Sequence, residues 1–140
     1  VACIPSDRPV LAMADGVVVR SQTGVVMEDL DGDGNERTGW DILYLHIATV
    51  GRAAVGQRLK TGDFLGYPSC EGGEATGTHV HIARKYNGEW MPADGTIPFN
   101  LEGWIAYNGD AAYQGTLRRA NQTITACACA DAASHIQAGR

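Results

Sequence analysis

The sequence predicts an all-β fold, mostly antiparallel, with long loops and a short C-terminal extension whose alanines can support some helix. Three observations carry this reading. The 18 glycines and five prolines stand singly between short apolar runs, which is the punctuation of a turn-rich β protein. Several of those runs alternate apolar and polar residues and are rich in β-branched and aromatic types, as half-buried strands are. No segment before residue 110 has helical periodicity. At 140 residues the chain has the length of one domain, and a chain of this size buries roughly 68% of its unfolded surface, so no metal or disulfide is needed merely to fold it.

Taken in order, residues 10–12 and 16–21 read as strands joined at Ala14-Asp15-Gly16, where a tight hairpin is expected. Residues 24–30 form a third strand and 40–47 a fourth, flanking an acidic, glycine-containing loop. Residues 55–66 place glycines at the bends of an alternating pattern and predict short strands joined by turns. Residues 69–78 are a loop, and residues 79–86 alternate again. We assign 1–92 as the core domain and 93–140 as an extension packing on it, wrapped by Trp104 and Tyr107 and ending in the alanine-rich tail 121–140.

Eleven basic against sixteen acidic side chains give a net charge of −5, which argues against nucleic acid and anionic lipid as main partners. The longest apolar runs are far shorter than a membrane span. The four cysteines, Cys3, Cys70, Cys127 and Cys129, suit an oxidising, extracytoplasmic compartment and allow three pairings. The first residue is Val1, which reads as removal of an upstream segment.

The strongest chemical signal is Gly77-Thr78-His79-Val80-His81-Ile82. In a strand, residues two apart share a face, so the two imidazoles can share a metal, or one can bind it while the other moves a proton. A further histidine, His46, closes the apolar run Leu43-Tyr44-Leu45. Together with Ala14-Asp15-Gly16-Val17-Val18 and the meander from Val55 to Gly66, these motifs resemble, in order and spacing, the lysostaphin/LytM-type zinc metallopeptidases over roughly residues 5–92.

That resemblance implies an antiparallel β fold with a groove, one zinc ion, and hydrolysis of peptide bonds in peptidoglycan cross-links by a secreted protein. It makes His81 a zinc ligand and His46 and His79 the catalytic pair that activates water or stabilises the charged transition state. The family's other two ligands come from an upstream His-x-x-x-Asp motif, and counting back from Asp15 puts its Asp at or before Val1. His81 alone cannot hold a catalytic zinc, which wants three protein ligands. The expectation is therefore a peptidase domain incomplete or inactive as it stands. The alternatives are a catalytically degenerate module that binds cell-wall material or self-associates in an extracellular assembly, and replacement of the lost ligands by Asp131 and His135. Thr78 also stands where many members have proline.

Two further features stand apart from the histidines. Asp29, Asp31, Asp33, Gly34 and Asn35 match the first part of a D-x-D-x-D-G calcium loop. Position 12 is Trp40 rather than Glu, and the flanks read as strands, so a plain Asp/Gly hairpin fits as well. A Cys3–Cys70 disulfide would tie the N-terminal segment to the loop before His79.

Overall fold

The computed structural model describes residues 3–4, 6–127 and 132–136, and they form two units, divided between Met91 and Pro92. The first contains eight strands: β1 (Val10–Leu11), β2 (Gly16–Gln22), β3 (Gly24–Asp29), β4 (Trp40–Ile47), β5 (Arg58–Leu59), β6 (Phe64–Gly66), β7 (His81–Tyr86) and β8 (Glu89–Met91). Six of them make an antiparallel sheet in the order β5-β2-β3-β4-β7-β8, and β1 pairs with β6 in a separate ribbon. Among the described residues no helix is long and apolar enough to cross a membrane.

The alternation read from the sequence becomes two different faces. One register row runs Val18, Glu28, Ile42 and Arg84 across β2, β3, β4 and β7; the next runs Val17, Asp29, Asp41, Lys85 and Trp90 out to β8. The first face meets the ribbon, and Val18, Val26, Ile42 and Tyr44 cluster there with Leu59 and Leu65 as the core. The second face carries the carboxylates of Asp29 and Asp41, both fully buried.

At the centre of the core lies a polar knot. Tyr44 is completely buried and donates its hydroxyl to Glu28 Oε1 at 2.9 Å, while Met13 N–H donates to the same hydroxyl at 2.9 Å. One phenol thereby holds two neighbouring strands and the chain leading into β2. Burial raises the Glu28 carboxyl from 4.5 to about 7, because a buried site disfavours the charged form. Gly16 is required beside it, since a Cβ there would sit 2.5 Å from Asp29 O and 2.8 Å from Glu28 Cγ.

Three expectations change. The predicted β1–β2 hairpin does not form; β1 pairs with β6 instead. The cause is Asp15, whose carboxylate accepts from Thr61 N–H (2.7 Å) and Thr61 hydroxyl (3.0 Å), while Ala12 N–H donates to Asp63 O. Those bonds tie the Ala14-Asp15-Gly16 turn to the meander rather than folding β1 onto β2. The strand expected over 79–86 begins at His81, and His79 makes only an isolated bridge to Ser69. The residues beyond 92 build a sheet of their own, ordered β12-β11-β10-β9 from β9 (Asn100–Leu101), β10 (Trp104–Asn108), β11 (Gly115–Arg119) and β12 (Gln122–Thr125). Among the described residues of the tail, the helical content is one 3₁₀ turn, Ala132–Ser134.

The polar knot generates two expected outcomes. Tyr44→Phe leaves Glu28 and Met13 N–H buried without their partner and lowers stability by about 2 kcal/mol in urea unfolding. Because the folded Glu28 pKa lies above its unfolded value, its contribution to stability is full below about pH 4 and is lost as pH rises through about 7. The melting temperature therefore falls between pH 5 and 8, and Glu28→Gln reduces that fall; an unchanged slope in the variant refutes the assignment.

Candidate functional site

His46 owes its position to a break in the β3–β4 ladder. Gly24 pairs with Ile47 and Val25 with Leu45, so His46 is the extra residue of a β-bulge. Its φ is +72°, a left-handed conformation that non-glycine residues rarely adopt. Bulges of this kind re-aim one side chain out of the ladder. Here the re-aimed imidazole is buried and packs at a tilt of 50° against the His79 ring, with centroids 4.5 Å apart.

The loop between β6 and β7 fixes both rings. His46 Nδ1 lies 3.0 Å from Glu71 O, and His79 Nδ1 lies 2.8 Å from Gly77 O. A carbonyl oxygen only accepts, so each Nδ1 carries a proton, and in the neutral ring the lone pair is on Nε2. The loop is itself clamped. Ser69 donates its N–H (2.7 Å) and hydroxyl (3.0 Å) to His46 O, and the Glu71 carboxylate accepts from Thr49 N–H (2.7 Å) and hydroxyl (2.6 Å). Those hydrogen bonds lower the Glu71 pKa, with Arg52 at 3.8 Å adding attraction.

The N-terminal segment joins the same loop. Cys3 and Cys70 form a disulfide with Cα atoms 5.7 Å apart, and the Thr78 hydroxyl donates to Ile4 O at 2.6 Å. Cys127 is also disulfide-bonded, while Cys129 and Asp131 lie outside the described residues. His81 opens β7 opposite Leu45, exposed to solvent. His135 is exposed beyond the 3₁₀ turn of the second unit.

The acidic loop forms a second cluster. Asp29, Asp31 and Asp33 each bring a carboxylate oxygen within 4.8 Å of the others. Burial, first, and the neighbouring Asp31 and Asp33 raise the Asp29 carboxyl to about 6; hydrogen bonds from Thr38 and Asn35 N–H lower Asp33 to about 2. Asn35 turns its side-chain oxygen to Arg37 N–H at 2.9 Å.

With this geometry in hand, the comparisons with known proteins are specific. The family model of peptidase family M23 matches residues 2–93. The chain belongs to peptidase family M23. A solved structure described as a novel M23 metalloprotease, pseudoalterin, from deep-sea is similar at a TM-score of 0.69 and 20% identity, covering 85% of this chain and 70% of that one. No curated protein matches.

For an M23 chain the question is what the described residues offer a zinc ion. His46 and His79 are brought together, but they and His81 do not converge as a set of three donors, and the described residues contain no three-donor group besides Asp29, Asp31 and Asp33. By themselves they do not fit a catalytic zinc, which needs three protein ligands. Sequence reasoning found the histidines and missed what aims them: Gly24, Thr49, Ser69 and Glu71. The available signal was Gly24, whose φ is +73° and whose Cβ would collide with Glu71 O.

Gly24→Ala is accordingly expected to destabilise the chain by roughly 2 kcal/mol or more, from the left-handed φ and the clash together. The His46 and His79 ring signals in NMR should shift with it, because Glu71 is displaced. Unchanged imidazole signals would show that the contact does not position the pair.

Proposed function

We propose that this chain is the peptidase unit of a secreted M23 metalloendopeptidase that cuts the cross-link peptides of peptidoglycan, with His46 and His79 as its catalytic pair. The observation that carries the reading is the pair of contacting imidazoles in a chain of this family, both with Nδ1 directed at a loop carbonyl. A histidine in that state takes a proton from an attacking water on Nε2 and, once charged, offers it to the developing oxyanion or the leaving amine. His79 is the more exposed of the two, which suits the ring that meets substrate; His46, buried, orients it.

His81 is the residue of this chain that would ligate zinc, by its place after Thr78-His79-Val80, with further donors supplied from outside the described residues. A bound zinc would polarise the scissile carbonyl and lower the pKa of its water toward about 7. The Cys3–Cys70 disulfide and the Thr78–Ile4 bond hold Cys3 and Ile4 against the His79 loop. The disulfide also supports an extracytoplasmic location.

A second reading is favoured because the described residues do not bring His46, His79 and His81 together as three donors: a degenerate M23 module that binds cell-wall material, or a second copy of itself, without cutting it. The two are separated by digestion and binding assays on purified sacculi. His79→Ala is expected to reduce peptide release from purified sacculi by about a hundredfold or more while leaving the melting temperature unchanged, since the side chain is exposed. Sacculus binding without release, in wild type and variant alike, would overturn the enzyme in favour of the binding module.

A further inference from the structure

The second face of the six-stranded sheet holds buried charge that the peptidase reading does not use. The loop's own hydrogen bonds engage one oxygen each of Asp29 and Asp31 and both of Asp33: Gly34 N–H donates to Asp29 Oδ2 (2.9 Å), Asp33 N–H to Asp31 Oδ1 (3.1 Å), and Asn35 N–H to Asp33 Oδ1 (2.8 Å), with the Thr38 hydroxyl on Asp33 Oδ2; a carboxylate oxygen has a second lone pair for a cation. Asp29 Oδ1 is left buried and unpartnered. Independently of the loop, Asp41 is fully buried with neither carboxylate oxygen hydrogen-bonded. It stands directly opposite Asp29 in the β3–β4 register, so both side chains project from the same face, and the Asp29 carboxylate acts on that of Asp41.

Two adjacent carboxylates with no donor between them require something positive, because burial strips the water that would otherwise solvate them. The cations on the neighbouring strands are directed elsewhere: Arg20 Nε lies 3.3 Å and Lys85 Nζ 3.9 Å from the Glu36 carboxylate. We propose that Asp29, Asp31, Asp33 and Asp41 together bind one calcium ion at the base of the β3–β4 hairpin. Oxygen-only donors on a turning loop, with no histidine or thiolate, select a hard cation, and a loop able to offer several carboxylates favours Ca²⁺ over the more rigidly octahedral Mg²⁺. This donor set differs from the one read off the sequence in adding Asp41, from the following strand, and in resting on carboxylates alone. Asp41 and His46 are five residues apart on an extended strand, roughly 16 Å, so the ion fastens the hairpin and takes no part in hydrolysis.

The competing account is a carboxyl–carboxylate pair in which Asp29 and Asp41 share a proton and no ion binds. Calcium titration of the full chain, after chelator treatment and dialysis at pH 7.5, separates them. The proposal expects one binding event by calorimetry, a rise in melting temperature of about 5 °C or more at saturation, and a clearly weaker response to magnesium. Asp31→Asn, an exposed position that leaves the core untouched, should weaken calcium binding roughly tenfold or more, and Asp41→Asn should abolish the thermal shift. No heat and no shift up to about 10 mM calcium, an equal response to magnesium, or wild-type affinity in Asp31→Asn overturns it; should Asp41→Asn fail to fold, Asp31→Asn alone decides.

Discussion

The structure depends on strand β4 being hydrogen-bonded along both edges. Paired with β3 on one side and β7 on the other, it cannot shift register without moving every side chain to the wrong face. Its middle supplies Tyr44, the buried phenol that locks β3 in place. Asp41 near one end and His46 near the other are held at fixed separation by the same ladder. A short strand thus acts as a ruler between an acidic cluster and a histidine pair, and Tyr44 keeps it from sliding.

The histidine site shows how a rigid ladder can still deliver one side chain off its natural direction. Regular pleating sends alternate residues to opposite faces, but the bulge at His46 breaks the alternation where β3 begins at Gly24. The missing side chain at Gly24 admits the Glu71 carbonyl, and that carbonyl sets the His46 tautomer. The loop is fastened at three places, by the disulfide at Cys70, by Ser69 and by Thr49, so the preorganisation of two imidazoles is spread over residues distant in sequence.

That spread explains which parts were legible in advance. Strand β4 could be read to the residue because its apolar, β-branched and aromatic run is bounded by polar turns, and the His46, His79 and His81 motifs declared the family. The fate of β1 could not be read, because a turn sequence such as Ala14-Asp15-Gly16 specifies a bend and leaves the partner strand to long-range hydrogen bonds, here from Thr61. The His79-x-His81 alternation implied one continuous strand, and the Ser69 bridge instead sets His79 apart, facing His46. Asp41 was invisible as a ligand because it looks like one polar residue at the mouth of an apolar strand; only the register, which puts it opposite Asp29, gives it meaning. The residues after 92 were read as a wrapping segment since their alternation is weak, and four short strands with tight turns emerged.

The left-handed backbone at His46 has an evolutionary implication. A residue held at φ +72° carries a conformational penalty that glycine would not, and the proposed catalytic role supplies a reason for an imidazole to stand there. Were that role lost, replacing His46 by glycine would relieve the strained backbone without touching the ladder on either side. Inactive lineages of such a scaffold should therefore arise readily and persist as sturdy proteins, with the sheet intact and the imidazole gone.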